Sequence, residues 1–179
     1  MNAKIKDPVD RRNEITSEVH EGIQPQQLNR QTLGSFLPLF RTLIPPEPAA
    51  LAGVYQAEFV GPAWLRKTAP LSLALGGLSG WWGKAFDGQG HGDNILRRRG
   101  SFMRVLPMVV RLAPSRLDGK EGITISYPAG SPFPWPWIVD EVRRLDPTTL
   151  LGMTLATLDR APKIAFPFLL HYRENIHGL

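Results

Sequence analysis

Two adjacent tryptophans framed by glycines, Trp81 and Trp82, constrain the possible folds of this chain more than any other feature. Residues 76–86 read Gly-Gly-Leu-Ser-Gly-Trp-Trp-Gly-Lys-Ala-Phe. Each indole needs an apolar environment, because a tryptophan side chain buries a large surface on folding. The flanking glycines allow a sharp bend or the close approach of another segment. We therefore expect residues 81–86 to form a strand against the packed interior.

The chain after residue 50 has the pattern of short strands joined by turns. Seventeen glycines and 17 prolines in 179 residues exceed average usage and favour many short elements. In the clearest segments, 53–60 and 122–127, apolar and polar residues alternate as they do in half-buried strands. Besides residues 81–86, strands are predicted over 53–60, 94–99, 102–112, 122–127, 138–145, 150–156 and 164–173. Residues 69–78 are predicted to form a short helix or a lid-like turn. About eight strands with hairpin-length connections predict a mainly β fold, a closed or nearly closed antiparallel barrel.

The N-terminal part differs from this pattern. Residues 1–24 are polar and without periodicity, so we expect a disordered or loose arm. Apolar residues between Leu33 and Ile44 then fall at helical spacing, although Pro38 lies among them. We expect an arm and amphipathic helix over 1–45, with the helix packed on a barrel domain over 46–179.

Composition narrows the range of functions. There is no cysteine, which excludes disulfides and thiolate metal sites and is compatible with a reducing compartment, so we expect a cytoplasmic protein. No signal peptide or membrane-spanning run is evident, and the histidines have no metal-ligand spacing. The net charge is +5, but the basic residues do not alternate with aromatics as in a single-strand nucleic-acid platform. We expect no nucleic-acid partner and no metal.

Residues 138–145 are ambiguous between two elements. Ile138, Val142 and Leu145 have helical spacing, and Pro136 could begin such a helix, so the pattern alone slightly favours a helix. As a strand, the segment would place Asp140, Val142 and Arg144 on one face.

Two short motifs resemble an uncharacterised family often found with the Gly-x-Trp-x-Gly domain. Residues 80–86 resemble its glycine-tryptophan-aromatic-glycine-lysine strand, and 140–153 resemble its later signature of Asp, basic residues, an acidic turn and Thr-Leu-apolar-Gly-Met. The resemblance covers about residues 53–172. It implies a lipocalin-like barrel with 138–145 as a strand, and it supplies no activity. The chain lacks a second Gly-x-Trp-x-Gly repeat and carries a Phe-Pro-Trp-Pro-Trp insert.

A barrel of this size is either filled by side chains or holds one small ligand. Alternation places Trp82, Lys84 and Phe86 on one face and Trp81 on the other, so either a tryptophan fills the interior or a ring lines a cavity wall. Asp140 and Arg144 share a face and are either buried charges with partners or an exposed pair. Arg104 and Tyr127 could join an interior network. The candidate ligand-binding residues are Trp82, Lys84, Phe86, Arg104, Tyr127, Asp140 and Arg144.

His171 and Asp140 are the candidate catalytic residues. A lone strand histidine is most often structural, but it could be a general base or hold a haem; apart from that alternative, we expect no cofactor.

Three functions remain open. The first is a lipocalin-like protein that binds a small, mostly apolar ligand. If that ligand is an acid, its acidic group would contact Arg144, Arg104 or Lys84. The alternative is a barrel enzyme, a cyclase, isomerase or decarboxylase using an acid–base group such as Asp140. A third is an interaction module that uses helix 33–44. A homo-oligomer is compatible with each.

Overall fold

The computed structural model describes residues 25–157, 164–174 and 176. Eight antiparallel strands pair in sequence order, and the last returns to the first to close a barrel. They are β1 (Gly53–Phe59), β2 (Trp81–Phe86), β3 (His91–Arg98), β4 (Ser101–Pro114), β5 (Glu121–Ser126), β6 (Ile138–Arg144), β7 (Thr149–Ala156) and β8 (Ala165–Arg173). The predicted fold class, a mainly β antiparallel barrel with a helix near the N-terminus, is confirmed.

Within the described residues, the helices are few and lie before β1 and in the β1–β2 connection. They are α1 (Pro25–Leu28), α2 (Leu33–Thr42) and α3 (Ala63–Leu75), with short 3-10 turns at Pro48–Leu51 and Trp135–Trp137. The prediction for residues 1–24 lies outside the described residues. No helix in the described ranges combines the length and apolar character that crossing a bilayer requires.

β6 explains why the pattern of residues 138–145 looked helical. It is a strand, but Val142 is buried inside the barrel while Glu141 and Arg143 are buried on its outer side. A strand covered on both faces loses the alternation of apolar and polar residues by which strands are recognised. The helical interpretation is therefore wrong, and the strand implied by the family resemblance is present.

α2 packs on the outside of the barrel, as its apolar stripe predicted. Phe36 and Phe40 are 1% exposed and belong to a cluster with residues of β7 and β8. The guanidinium of Arg143 lies over the Phe40 ring at 4.5 Å and donates to the Phe40 carbonyl at 3.0 Å. This contact anchors the helix to β6.

The two ends of the barrel are built differently. At one end, here called the mouth, lie the β1–β2 connection that contains α3, the tight β3–β4 turn and the β5–β6 connection. The opposite end holds the β2–β3, β4–β5 and β6–β7 turns. Each end is therefore formed by its own set of segments.

One irregularity in β2 decides which tryptophan faces the interior. Trp81 pairs with Leu96 but Gly83 with Ile95, so two residues of β2 advance against one of β3. Such a β-bulge breaks strict alternation, and both Trp81 and Lys84 line the interior cavity. Trp82 instead packs edge-on against Phe102 at 5.0 Å on the outer face. The predicted facing of Trp81 and Trp82 is therefore wrong.

Glycine at position 83 is a requirement of this geometry. A side chain there would overlap the carbonyl of Tyr55 on β1. The small residue between Trp82 and Lys84 thus lets β1 approach β2 at the bulge.

Candidate functional site

A cavity of about 270 Å³ lies at the mouth, between α3 and the barrel interior. Its wall is mostly apolar and includes the rings of Trp81, Trp135 and Phe168, with Leu65 and Leu73 from α3. Trp81 packs against Phe168 at 6.0 Å between ring centroids. Aromatic side chains from β2, β8 and the β5–β6 connection therefore form part of the wall.

The polar part of the wall is centred on Lys84. This side chain is 1% exposed, and its Nζ lies 3.0 Å from an Asp140 carboxylate oxygen. It also donates to the Tyr127 hydroxyl at 3.0 Å and to the Asn94 side-chain oxygen at 3.1 Å. The Met108 sulfur lies 3.2 Å from the same nitrogen. A lysine buried in an apolar wall requires such partners, because an unpaired charge there is strongly destabilising.

Asp140 accepts from several donors besides Lys84. Thr154 donates its hydroxyl at 2.6 Å to one carboxylate oxygen, and Tyr127 donates at 3.3 Å to the other. Asp140 is 3% exposed. Neighbouring strands supply these groups, because Asp140 pairs directly with Thr154 across β6 and β7.

The indole nitrogen of Trp81 joins the network. It donates to the Asn94 side-chain oxygen at 3.0 Å, and the Asn94 amide donates to the Leu106 carbonyl at 3.1 Å. Asn94 is fully buried. The bulge in β2 therefore brings both an aromatic ring and a hydrogen-bond donor to the cavity.

The electrostatics of the cluster keep its lysine and its phenol protonated near neutral pH. Burial lowers the pKa of Lys84, but its contacts with Tyr127 and Asp140 raise it more, so the pKa lies above its usual value. Burial raises the pKa of Tyr127 to about 12 against the opposing effect of Lys84. Lys84 is thus a cation paired with Asp140, and Tyr127 is a neutral donor between them.

The structure brings together three of the seven predicted ligand-binding residues. Lys84, Tyr127 and Asp140 form the cluster. Phe86 is buried in the core against Tyr55, 5.6 Å between centroids, and does not line this cavity. Trp82 lies on the outer face.

The two predicted arginines lie away from the cavity. Arg104 is on the outer face, half exposed, with its guanidinium 3.6 Å from Asp93. Arg144 is exposed at the opposite end, where β6 finishes. The partner of Asp140 is therefore Lys84, whose nitrogen lies 3.0 Å away. Arg144 is not its partner, because Asp140 lies near the mouth end of β6 and Arg144 lies at the opposite end of the same strand.

His171 does not line the cavity either. It faces outward on β8, with Nε2 2.9 Å from Glu58 and Nδ1 3.3 Å from the Thr149 hydroxyl. A haem ligand needs a ring nitrogen free to reach iron in a cavity. Because both His171 nitrogens contact protein groups outside the cavity, this residue does not fit a haem. Among the described residues, no group of His, Cys, Asp or Glu has an arrangement that could hold a metal.

Sequence reasoning missed Asn94 and Thr154. Thr154 is a polar residue within the apolar run of β7, and this is the signal that could have marked it. Asn94 gave a weaker signal, because it stands next to a glycine-rich turn and was treated as the start of a strand. The contribution of α3 to the cavity had no signal beyond the small, apolar character of residues 69–78.

A solved structure described as the crystal structure of a protein from Thermomonospora curvata is similar to this chain. The TM-score is 0.65, the identity is 19%, and the match covers 90% of this chain and 99% of the other. At this identity the likeness shows a shared fold alone. No protein-family model matches the sequence, and no curated protein matches it.

Proposed function

We propose that this barrel binds a small, mostly apolar molecule in the cavity under α3, with a polar group of that molecule at the Lys84–Asp140–Tyr127 cluster. The observation that carries the proposal is a fully paired charged cluster set into the wall of an apolar cavity. An apolar wall with a few placed polar groups is the usual composition of a small-molecule site. The volume of about 270 Å³ suits a small ligand.

The cluster favours an uncharged hydrogen-bonding group on the ligand. The charge of Lys84 is already balanced by Asp140, 3.0 Å away. An acid would have to compete with Asp140 for the lysine, whereas a hydroxyl can donate to the Asp140 carboxylate without separating the pair. We therefore propose an apolar alcohol ahead of the acidic ligand expected from the sequence.

The alternative enzyme would use Asp140 as its acid–base group. In its favour, the Asp140 carboxylate lines the cavity. Lys84 and Tyr127 give it less support, since both have pKa values raised above the usual range and neither acts readily as a base near neutral pH. Binding is therefore the function that the geometry supports best.

The experiment is a fluorescence titration that compares an apolar alcohol with the carboxylic acid of the same carbon skeleton. Trp64, Trp81 and Trp135 line the cavity, so a bound ligand should change tryptophan emission saturably. We expect the alcohol to bind more tightly than the acid. Product analysis after long incubation distinguishes binding from turnover.

Adjacent tryptophans provide a matched pair of variants. Trp81→Phe removes the hydrogen bond to Asn94 and part of the cavity wall, so it should weaken binding roughly tenfold. Trp82→Phe alters a ring on the outer face and should leave the affinity unchanged. Equal effects of the two substitutions, or no saturable binding across an apolar panel, would contradict the proposal.

Membership of the uncharacterised Gly-x-Trp-x-Gly-associated family is part of the same proposal. Its support is the pair of motifs at 80–86 and 140–153, together with a barrel fold of the type the resemblance implies. Both motifs contribute a residue to the cluster, Lys84 from the first and Asp140 from the second.

A further inference from the structure

Large apolar side chains are exposed preferentially at the mouth. Of the eleven in the described part of the chain, seven lie at this end on α3 or on or beside the β5–β6 and β7–β8 connections. This set, here called the apolar rim, consists of Trp64, Leu71, Leu75, Phe133, Trp137, Ile164 and Phe166. Clusters of exposed apolar side chains on a protein surface usually mark an interaction site.

α3 presents a stripe within this rim. Leu75 is 83% exposed, Leu71 64% and Trp64 53%. Their spacing of seven and four residues places them on one side of the helix. Leu65 and Ala69, on the neighbouring side, line the cavity, and Trp64 borders both the cavity and the stripe. One helix therefore carries an inward wall and an outward apolar stripe.

The second part of the rim lies on the β5–β6 connection. Phe133 is 77% exposed and packs edge-on against Trp137 at 5.7 Å. This connection is joined to the end of α3, because the Trp135 indole donates to the Gly76 carbonyl at 2.6 Å. The aromatic loop and the helix thus belong to one surface.

Basic residues are found at the same end of the barrel as the apolar rim. Described segments 61–80, 94–106 and 127–139, which form this end, contain no aspartate or glutamate. They contain exposed Lys67 and the exposed basic run 97–99 at the β3–β4 turn. The Arg98 guanidinium donates to the Ser79 carbonyl at 3.2 Å, which places this turn beside the segment that follows α3. Within these three described segments, the apolar rim is therefore flanked by cations and by no acidic side chain.

We propose that the mouth of the barrel docks onto an anionic lipid bilayer, with the apolar rim entering the interface and Lys67 and the basic turn meeting lipid phosphates. Tryptophan, phenylalanine and leucine beside lysine and arginine are the combination found in helices that lie in a membrane interface. Complementarity to a negative surface favours a lipid over an apolar protein partner. The inference concerns the outer surface and does not depend on the proposed ligand.

The test is co-sedimentation of the full-length protein with vesicles, without added ligand. We expect partitioning onto phosphatidylcholine vesicles that contain phosphatidylglycerol, little binding to phosphatidylcholine alone, and loss of binding as salt is raised. Leu75→Gln should lower the partition coefficient roughly tenfold, since a largely exposed leucine no longer enters the interface. Lys67→Gln should lower it roughly fivefold.

Matched substitutions away from the mouth are the controls. Leu112→Gln alters an apolar side chain that is 45% exposed on β4 towards the other end, and Arg116→Gln removes an exposed charge in the β4–β5 turn. Neither should change partitioning. Absence of binding to anionic vesicles at low salt overturns the proposal, and so does an equal effect of mouth and control variants. A self-associated protein that Leu75→Gln renders monomeric, without vesicle binding, overturns it in favour of a second copy of the chain.

Discussion

Lys84 is the centre of the polar part of the cavity wall, because it contacts three of the polar side chains there. Its nitrogen lies within 3.2 Å of Asp140, Tyr127, Asn94 and Met108. Desolvation of a lysine and an aspartate costs several kcal/mol each in a dry interior, and their attraction offsets this only with good geometry. Here the geometry is good, and Thr154 satisfies the remaining carboxylate oxygen. Each of the two buried charges is therefore tolerated only while the other is present.

A double-mutant cycle should show this dependence. Lys84→Met and Asp140→Asn each leave a buried charge or polar group without its main partner, so each should lower the free energy of unfolding by about 3–5 kcal/mol. The double variant should recover part of that loss. Arg144→Met, at an exposed position, should cost less than about 1 kcal/mol. Urea denaturation provides the measurement, and additive single effects would argue against the pair.

Alkaline pH should destabilise the fold through the same cluster. Burial raises the pKa of Tyr127 from 10.0 to about 12, so between these values the unfolded chain loses its phenolic proton first. The free energy of unfolding then falls as pH rises, by about 3 kcal/mol for this group over the whole interval. Lys84, whose pKa is also raised, acts in the same direction, since its stabilisation is present below its ordinary pKa and lost above it. Denaturant melts at increasing pH measure the slope.

Tyr127→Phe should make that slope shallower, because the phenol that titrates is removed. Trp82→Phe, which changes a ring on the outer face and removes no titratable group, is the comparison and should leave the slope as in the wild type. A slope unchanged by Tyr127→Phe would show that another group controls the alkaline transition.

Alternation along strands was sufficient to predict some of these residues and insufficient for others. Lys84, Tyr127 and Asp140 were identified as polar residues on strand faces that could be interior. Trp81 was assigned to the wrong face, because one extra residue in β2 shifts the pairing with β3 and nothing in the local composition marks where it occurs. Arg144 shares a face with Asp140, but position along the barrel axis depends on strand register, which a single sequence does not specify.

At the scale of elements, turns and proline positions predicted the strands well. All eight predicted strands occur, with ends that differ from the predictions by up to three residues. The helix α3 was only partly foreseen, since it begins six residues before the predicted segment 69–78. The helix carries an arginine, a lysine and exposed leucines as well as the residues that line the cavity. Its sequence pattern therefore does not show which side forms the cavity wall.

α2 should contribute measurably to stability, because its apolar stripe is fully covered. Phe40 is 1% exposed and lies under Arg143. Phe40→Ala should lower the free energy of unfolding by about 3–5 kcal/mol through lost burial and the cavity it leaves. Ile44→Ala, at a side chain 54% exposed, should cost well under about 1 kcal/mol. Hydrogen exchange at 33–42 should rise in the Phe40 variant, and equal costs for both substitutions would mean that the helix is not docked.

At the scale of the whole molecule, the barrel is electrically asymmetric along its axis. Among the described residues, segments 61–80, 94–106 and 127–139 at the mouth carry lysine and arginine without acids, whereas six acidic residues lie at or near the other end. These are Glu47, Asp87, Asp118, Glu121, Asp146 and Glu174. The net charge of +5 is too coarse a measure to reveal this separation. A charged surface would orient the approaching molecule with its mouth towards negative charge.

Closure of the ladder between β1 and β8 also limits how copies of this chain can meet. Every strand of the described barrel has a hydrogen-bonded neighbour on both sides. Backbone pairing between molecules, the commonest route by which β proteins polymerise, therefore has no free edge from which to start. A homo-oligomer formed through the described barrel must therefore use side chains and loops rather than strand pairing, so surface substitutions should govern its formation.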